Sequence, residues 1–561
     1  MPSSTPRSSR PWRSASRPWP GSGPPSSRSK PEVNGAGRSW AAVALFALLV
    51  SAPFWDKPFH VDEPFFLAIA DQIRTDPRHP LAFDYNWYGR LVPMASINNT
   101  PPLLGYLLAG AWQLTGGREW AMRLCLFPLD LVSAWALLLL AARFLKRPLL
   151  PTLIVLAAPA YLIDMNHLMA EKLMAAFVFP AIYALVRGVD EDRPRWFWAS
   201  SALLAGALLS KYAAVFAVVP IAVYARRRGV PMKRLLAYLA AAGAPVALYV
   251  LSNRAWDAAW EVTARSSQLL TASWPHKLRS LAAFLGGCGV VTALWPLSVL
   301  RRRAAVLACS AAALALFLPF LDLAPLVRPV DRFTGWLFAA GGLSGLWVLS
   351  RDGRSDEGWA LWTPWVWAVL LLQACLYWSV MARQMMFLLP PMVFGLAARM
   401  ERERAPAQSR RILSVSLAGT LGLSLCLSIV DYQYASAQKS LALEVRRDYL
   451  DSGRRVWHAA HWGLQHYLKA AGAMQIDWAR GGWDAVRPGE AAVVSRVNSN
   501  ARPMLSPRLA DVKEWRVGTP IPLRLMSGWS GEGGFYSNVA GFLPYSLSAE
   551  PLDEFRIVEF R

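Results

Sequence analysis

Two carboxylates stand side by side in PFHVDEPFF, residues 58–66, a few positions after the apolar run SWAAVALFALLVSAPFW. Adjacent residues on an extended segment point opposite ways, so Asp62 and Glu63 are not expected to share one task. A carboxylate set against apolar surface has the chemistry of a general base, because burial raises its pKa toward neutrality, where proton abstraction is efficient. The same residues also allow a structural use. Pro64 suits the first turn of a helix over residues 64–74, and an acid ahead of it can cap that helix. The two readings are compatible, since a cap would fix the base in place. His60 has no assigned part.

Other ionisable residues interrupt apolar sequence. Glu171 and Lys172 open the run in MNHLMAEKLMAAF, with His167 four positions before Glu171. An ionisable group at such a depth is a functional candidate by default, while snorkelling is the ordinary explanation for Lys172. Lys211 breaks GALLSKYAAVFAVVP and calls for a partner, either an anionic headgroup or water at a turn. Arg383 lies in SVMARQMMFLLPPMVFGLA, and its fork suits phosphate. Lys211, Arg383 and Lys172 could together cradle an anionic lipid headgroup. His458, His461 and His466 are spaced i, i+3, i+8, and no carboxylate or cysteine completes a metal set with them. No metal ligands are assigned, and a divalent cation is left open as a cofactor.

These residues need a scaffold, and composition says which kind. The chain has 561 residues, 54% of them hydrophobic and only 17% charged, against about 25% charged in soluble proteins. Apolar runs of bilayer length recur between residues 40 and 430. The net charge of +22 does not mark nucleic-acid binding, because no groove-reading motif accompanies it. Its clusters (Arg143 to Arg147, Arg226 to Lys233, Arg301 to Arg303, Arg399 to Arg411) fall in alternate short loops, as the positive-inside rule expects of cytoplasmic loops. The five cysteines all lie within apolar runs and form no CxxC pair, so they read as small buried residues.

The expected organisation has three parts. Residues 1–38 are a disordered, basic, cytoplasmic tail, with seven Lys or Arg against Glu32 alone. Residues 39–430 are an all-α polytopic membrane domain of about thirteen spans: 39–55, 119–143, 149–164, 170–187, 196–210, 213–225, 234–252, 281–300, 304–321, 332–350, 358–379, 384–399 and 411–430. Its first external loop, 56–118, carries two amphipathic helices, 63–74 and 100–114, on the membrane surface. Residues 431–561 form a small extracytoplasmic α/β domain, with strands at AAVVSRV and EFRIVEF and a helix over RVWHAAHWGLQHYLKAAG ending at Gly472. No internal repeat is seen, which weighs against a transporter of duplicated halves.

Five stretches in this order resemble the GT-C superfamily of membrane glycosyltransferases, in the branch of protein mannosyltransferases and the aminoarabinose transferase of lipid A. They are HVDEPFFLAIADQI, NNTPPLLGYLLAGAWQLTGGREWAMRL, HLMAEKLMAAFVFPAIYAL, ALLSKYAAVFAVVP and VMARQMMFLLPPMVFGLAAR, and the resemblance spans residues 40–430. It implies an inverting transferase with a polyprenyl-phosphate sugar donor, a lipid, glycan or protein acceptor, and a site at the outer face of a bacterial inner membrane. In that reading Asp62 is the base toward the acceptor and Glu63 helps orient substrate. Glu171 stands where the family often has Asp, and Lys211 and Arg383 hold the lipid phosphate. One departure concerns Asn99-Thr100-Pro101, where some members carry Glu-Lys-Pro, so a cation is missing there.

Overall fold

A computed structural model describes residues 33–98, 100–252, 274–289, 303–317, 327–351, 358–497, 499, 501–504 and 509–561. The expected tail, 1–38, lies almost wholly outside them. The described chain is predominantly helical. In order come α1 (Val33–Ser51), α2 (Glu63–Thr75), the hairpin β1 (Asp84–Trp87) and β2 (Arg90–Pro93), α3 (Leu103–Thr115) and α4 (Glu119–Phe144). There follow α5 (Leu149–Ala157), α6 (Pro159–Met165), α7 (Ala170–Asp190), α8 (Pro194–Ser210), α9 (Val218–Arg227) and α10 (Met232–Ser252). After these come α11 (Trp274–Gly287), α12 (Arg303–Phe317), α13 (Pro329–Arg351), α14 (Trp359–Cys375), α15 (Leu389–Glu403) and α16 (Pro406–Val445).

Among the described residues six helical stretches are long and apolar enough to cross a membrane, by length and composition: Gly37–Phe54, Glu119–Phe144, Ala170–Asp190, Met232–Ser252, Pro329–Arg351 and Pro406–Leu450. The other expected spans differ for local reasons. The stretch 149–164 breaks where Ala158 turns extended (ψ 141°) ahead of Pro159, whose ring excludes a helical predecessor. The stretches 196–210 and 358–379 form helices of 17 residues each, short of the roughly 20 that an untilted span needs. The run 213–225 opens as a 3-10 turn, Tyr212–Ala217, and 384–399 opens with Met386–Leu388 in the same form. Parts of 281–300 and 304–321 lie outside the described residues.

The bundle has two chemically distinct ends. At one end, basic loops are tied by ion pairs: Arg143 to Asp190 (3.3 Å) and Glu191 (2.8 Å), and Arg228 to Asp190 (3.3 Å). Glu401 accepts the backbone N–H groups of Lys146 and Arg147 there, both at 2.9 Å. At the opposite end of α7 stands Glu171, in its first turn. The acids of interest therefore lie a helix length away from the basic loops.

Helix α16 links the bundle to the last segment. Its 40 residues span about 60 Å, twice the hydrocarbon thickness of a bilayer. The expected boundary at 430 falls inside it, because DYQYASAQKSLALEV continues the helix with no Gly or Pro to stop it. Beyond it lie β3 (Val456–His458), α17 (Trp462–Ala471), β4 (Met474–Gln475), β5 (Ala491–Ser495), β6 (Leu509–Val517), β7 (Leu523–Arg524), β8 (Ser546–Leu547) and β9 (Asp553–Phe560). Five of the strands make a mixed sheet in the order β4-β3-β5-β9-β6, with β3 parallel to β4 and β5, and β9 antiparallel to β5 and β6. The expected helix from Arg455 is thus shorter: Val456–His458 pairs with Ala491–Val493 as a strand, and only the part from Trp462 is helical, ending at Gly472 with φ +103°. Leu441, Val445, Leu464, Leu468, Val493 and Phe555 join α16, α17 and the sheet in one apolar core.

Between β7 and β8 the chain returns to the bundle. Phe535 accepts the N–H of Ala382 (2.9 Å), Asn538 pairs with Val380 through both its backbone N–H (3.0 Å) and its side chain (2.9 Å), and Tyr545 donates to Gly287 (3.1 Å). This return covers the end of the bundle that carries Glu171.

Candidate active site

The site is built on the loop after α1. Glu63 and Arg123 are both almost fully buried, and the single nitrogen Arg123 Nη2 is shared between the two carboxylate oxygens at 3.0 and 3.1 Å. Glu63 also accepts the N–H of His60 (2.6 Å) and of Leu168 (2.8 Å), while Arg123 donates to Lys57 (2.5 Å) and Asn166 (3.1 Å). One buried ion pair thereby pins the loop to α4 and to the turn before α7, with every hydrogen bond charge-assisted. A second buried cluster lies alongside. Lys57 donates to Asp431 of α16 (2.7 Å) and lies 3.0 Å from His167, Tyr536 donates to the same Asp431, and His60 lies 3.2 Å from Gln438.

Asp62 points the other way. It occupies the cap position of α2, where its backbone carbonyl accepts from Phe65 (3.1 Å), yet its side chain makes no capping bond. Instead it receives Arg383 Nη1 at 2.7 Å. Val61 at φ +54° swings it there, a left-handed conformation that is unusual for a β-branched residue. Arg383 reaches on to Glu171 (3.4 Å), which also accepts Lys211 (2.5 Å) and Gln384 (3.2 Å). Asp62, Arg383, Glu171 and Lys211 thus form a continuous row of alternating charge, drawn from the first loop, the turn before α15, the start of α7 and the end of α8.

The row lies in the wall of a cavity of about 660 Å³, within the range of small-molecule sites. The sequence-derived candidates divide here. Asp62, Glu171, Lys211 and Arg383 line the cavity, whereas Glu63 and Lys172 do not. Glu63 is held by Arg123. Lys172 is one residue past Glu171, so the helix turns it about 100° away, to Asp130 of α4 at 3.0 Å. His458, His461 and His466 do not converge, and among the described residues no three His, Cys, Asp or Glu side chains are grouped to hold a metal ion.

Electrostatics correct one expectation. Burial pushes the Asp62 carboxyl up, but Arg383, aided by Lys211, outweighs it and holds the group below the ordinary carboxylate range. The raised pKa expected from burial alone is therefore not a property of the free protein. Burial lowers His461 to about 4, so its ring is neutral near pH 7.

The remaining lining was not foreseen. Trp87 and Tyr88 come from the first-loop hairpin, Trp462 from the start of α17, and Arg496, Met526 and Tyr536 from the C-terminal segment. Tyr88 (φ +50°) and Trp462 (φ +56°) share the left-handed backbone of Val61. Three of the four described non-glycine residues with positive φ therefore face this one cavity, each at about 1–3 kcal/mol of local strain. The WG pair at 462–463 was the available signal. A Cβ on Gly463 would lie 2.3 Å from the carbonyl oxygen of Phe59, so only glycine lets α17 approach the carboxylate loop this closely.

Residues 99–256 match the family described as dolichyl-phosphate-mannose-protein mannosyltransferase. The match bears out the resemblance drawn from the sequence, and it includes Glu171 and Lys211 while Asp62 and Arg383 lie outside it. Among solved structures, ArnT from Cupriavidus metallidurans in the apo state is similar at 14% identity and a TM-score of 0.48, covering 82% of this chain and 93% of its own. The same protein bound to undecaprenyl phosphate gives 14% and 0.47 with the same coverage. The oligosaccharyltransferase AglB from Archaeoglobus fulgidus, in complex with an inhibitory peptide and a dolichol-phosphate, gives 13% and 0.47, covering 78% of this chain and 64% of its own. No curated protein matches the chain in sequence.

Proposed function

We propose that this protein is a membrane glycosyltransferase that moves a sugar, with inversion, from a polyprenyl-phosphate carrier to an acceptor. The observation that carries this reading is the row Asp62–Arg383–Glu171–Lys211 in the wall of a cavity of about 660 Å³. Two guanidinium or ammonium groups beside two carboxylates are what a departing phosphate and an incoming hydroxyl require.

In the free protein the row is neutral and Arg383 is taken up by Asp62. A donor phosphate competes for Arg383 and Lys211, which then neutralise the charge growing on the leaving oxygen. Asp62 loses its cation in the exchange. Burial alone then acts on it, and its pKa rises into the range of a useful base. The acceptor oxygen attacks the anomeric carbon as the carbon–oxygen bond to phosphate breaks. The bonding pair leaves with the polyprenyl phosphate, and the hydroxyl proton passes to Asp62. Glu171 keeps Lys211 and Arg383 in register and does not itself take the proton.

The basic loops at the other end of the bundle support a cytoplasmic end opposite the cavity, and with it a site at the outer face of the inner membrane. Arg496, Met526, Tyr536 and Ala540 of the C-terminal segment line the cavity, and this supports a part for that segment in choosing the acceptor. Asp62→Asn is expected to abolish transfer while leaving expression and membrane insertion intact. Wild-type transfer by that variant would overturn the assignment.

A further inference from the structure

Asp62 stands where two different surfaces meet. On one side is the cationic pair, with Arg383 at 2.7 Å. Lining the same cavity as Asp62 is an aromatic corner, with Trp87, Tyr88 and Trp462 in its wall. His461 lies against Tyr88 at 4.0 Å with the rings 31° apart, and meets Trp87 edge-on at 4.7 Å. Trp462 is next, braced edge-on by His60 at 5.6 Å and Tyr536 at 5.8 Å. Tyr88 and Trp462 both line the cavity, and Tyr88 is more than a third exposed.

The corner is rigid before anything binds. Tyr88 and Gly89 (φ +50° and +75°) form the two-residue turn of the hairpin, and that turn is bolted to the C-terminal segment. Trp478 donates its N–H to Gly89 (2.7 Å), Asn86 donates to Ile476 (3.0 Å), and Gln465 donates to Asn86 (3.0 Å) and lies 3.2 Å from His461 Nδ1. Left-handed backbone at both Tyr88 and Trp462, held by contacts from two distant parts of the chain, is strain retained at a site of use.

An aromatic face beside a general base suits one ligand chemistry. The C–H bonds on one face of a pyranose ring are positively polarised and pack on the negative face of an aromatic ring, leaving the hydroxyls free for directed hydrogen bonds. Resting on the transferase reading above, we propose that the Tyr88–Trp462 corner is the acceptor subsite and that the acceptor is a carbohydrate, its pyranose ring stacked on Tyr88 with one hydroxyl presented to Asp62. The cations occupy the donor's side of Asp62. In an inverting transfer the acceptor enters opposite the leaving phosphate, and the proposal gives that entry to the aromatic rings that share the cavity with Asp62.

The test uses the full-length protein in phospholipid nanodiscs, free of sugar detergents, with maltotriose, mannotriose and chitotriose as probes. Saturation-transfer NMR on irradiating the aromatic protons should show contact with at least one trisaccharide. The signal should fall at least five-fold in Tyr88→Ala and Tyr88→Leu and survive in Tyr88→Phe, while affinity for undecaprenyl phosphate stays within two-fold in all three. The proposal is overturned if no trisaccharide gives transfer, if Leu serves as well as Phe, or if undecaprenyl phosphate affinity falls in parallel. A serine-rich peptide that displaces the trisaccharide would likewise overturn it in favour of a protein acceptor. Failure of the transferase reading registers separately, as unchanged turnover in Asp62→Asn, because equilibrium binding of a trisaccharide involves no transfer.

Discussion

Replacing Glu63 with alanine should unfold the protein at lower temperature rather than stop chemistry in a folded one. Glu63 accepts two hydrogen bonds from Arg123 and one each from the N–H groups of His60 and Leu168, with both side chains of the pair almost fully buried. Removing it leaves the Arg123 guanidinium charged and unpaired in the interior. Breaking a buried pair in this way costs about 3–5 kcal/mol. With an unfolding entropy of about 2.1 cal/mol/K per residue, a bundle of about 400 residues shifts by roughly 1 °C per kcal/mol, so that is a fall in Tm of about 3–6 °C. The assay is thermal unfolding of the purified protein, followed by tryptophan fluorescence. Replacing both partners with methionine removes the stranded charge, so the Glu63→Met, Arg123→Met variant should regain at least half of the loss. A Glu63→Ala protein with wild-type Tm and no transfer would refute the reasoning and return Glu63 to the chemistry.

Two pH predictions follow from the site. Because Asp62 is held low in the free protein, kcat/KM should stay flat as pH falls from 7 through the ordinary carboxylate range, whereas in Arg383→Gln burial acts unopposed and the acid limb should move to higher pH. An unmoved limb would remove Asp62 from the rate law. In the C-terminal segment, Asp553 is pushed up to about 7, chiefly by burial, despite accepting the N–H groups of Arg496 and Val497 at 3.0 Å each. A raised folded-state pKa contributes stability that is full below the ordinary carboxylate value and lost as pH rises through about 7. Tm should therefore decline across that window in the wild type and flatten in Asp553→Asn; parallel curves would contradict the assignment.

Much of this was legible in sequence, and the gaps have physical causes. Asp62, Glu171, Lys211 and Arg383 stood out because each interrupts apolar sequence, and the fold brings all four to one cavity. Lys172 shared that signal and went elsewhere, since one step along a helix changes the face, and Asp130 on α4 gave no cue of its own. Glu63 was paired with Asp62 by adjacency, but its partner Arg123 lies 60 positions away. The aromatic corner was hidden because Tyr88 and Trp462 are remote in sequence and belong to a turn and a helix start, where no periodicity marks a face. The strand Val456–His458 was read as helix because its partners, Ala491–Val493, lie far along the chain. Helix α16 outran its apolar run because hydropathy reports the lipid boundary and not where a helix stops.

The most direct test of the central claim is the lipid-linked sugar pool of a deletion strain compared with its parent. The account predicts that a polyprenyl-phosphate sugar accumulates, that the wild-type gene clears it with appearance of a newly glycosylated product, and that Asp62→Asn, expressed to the same level, does not. An unchanged carrier pool in the deletion strain, or full clearance by Asp62→Asn, would contradict it.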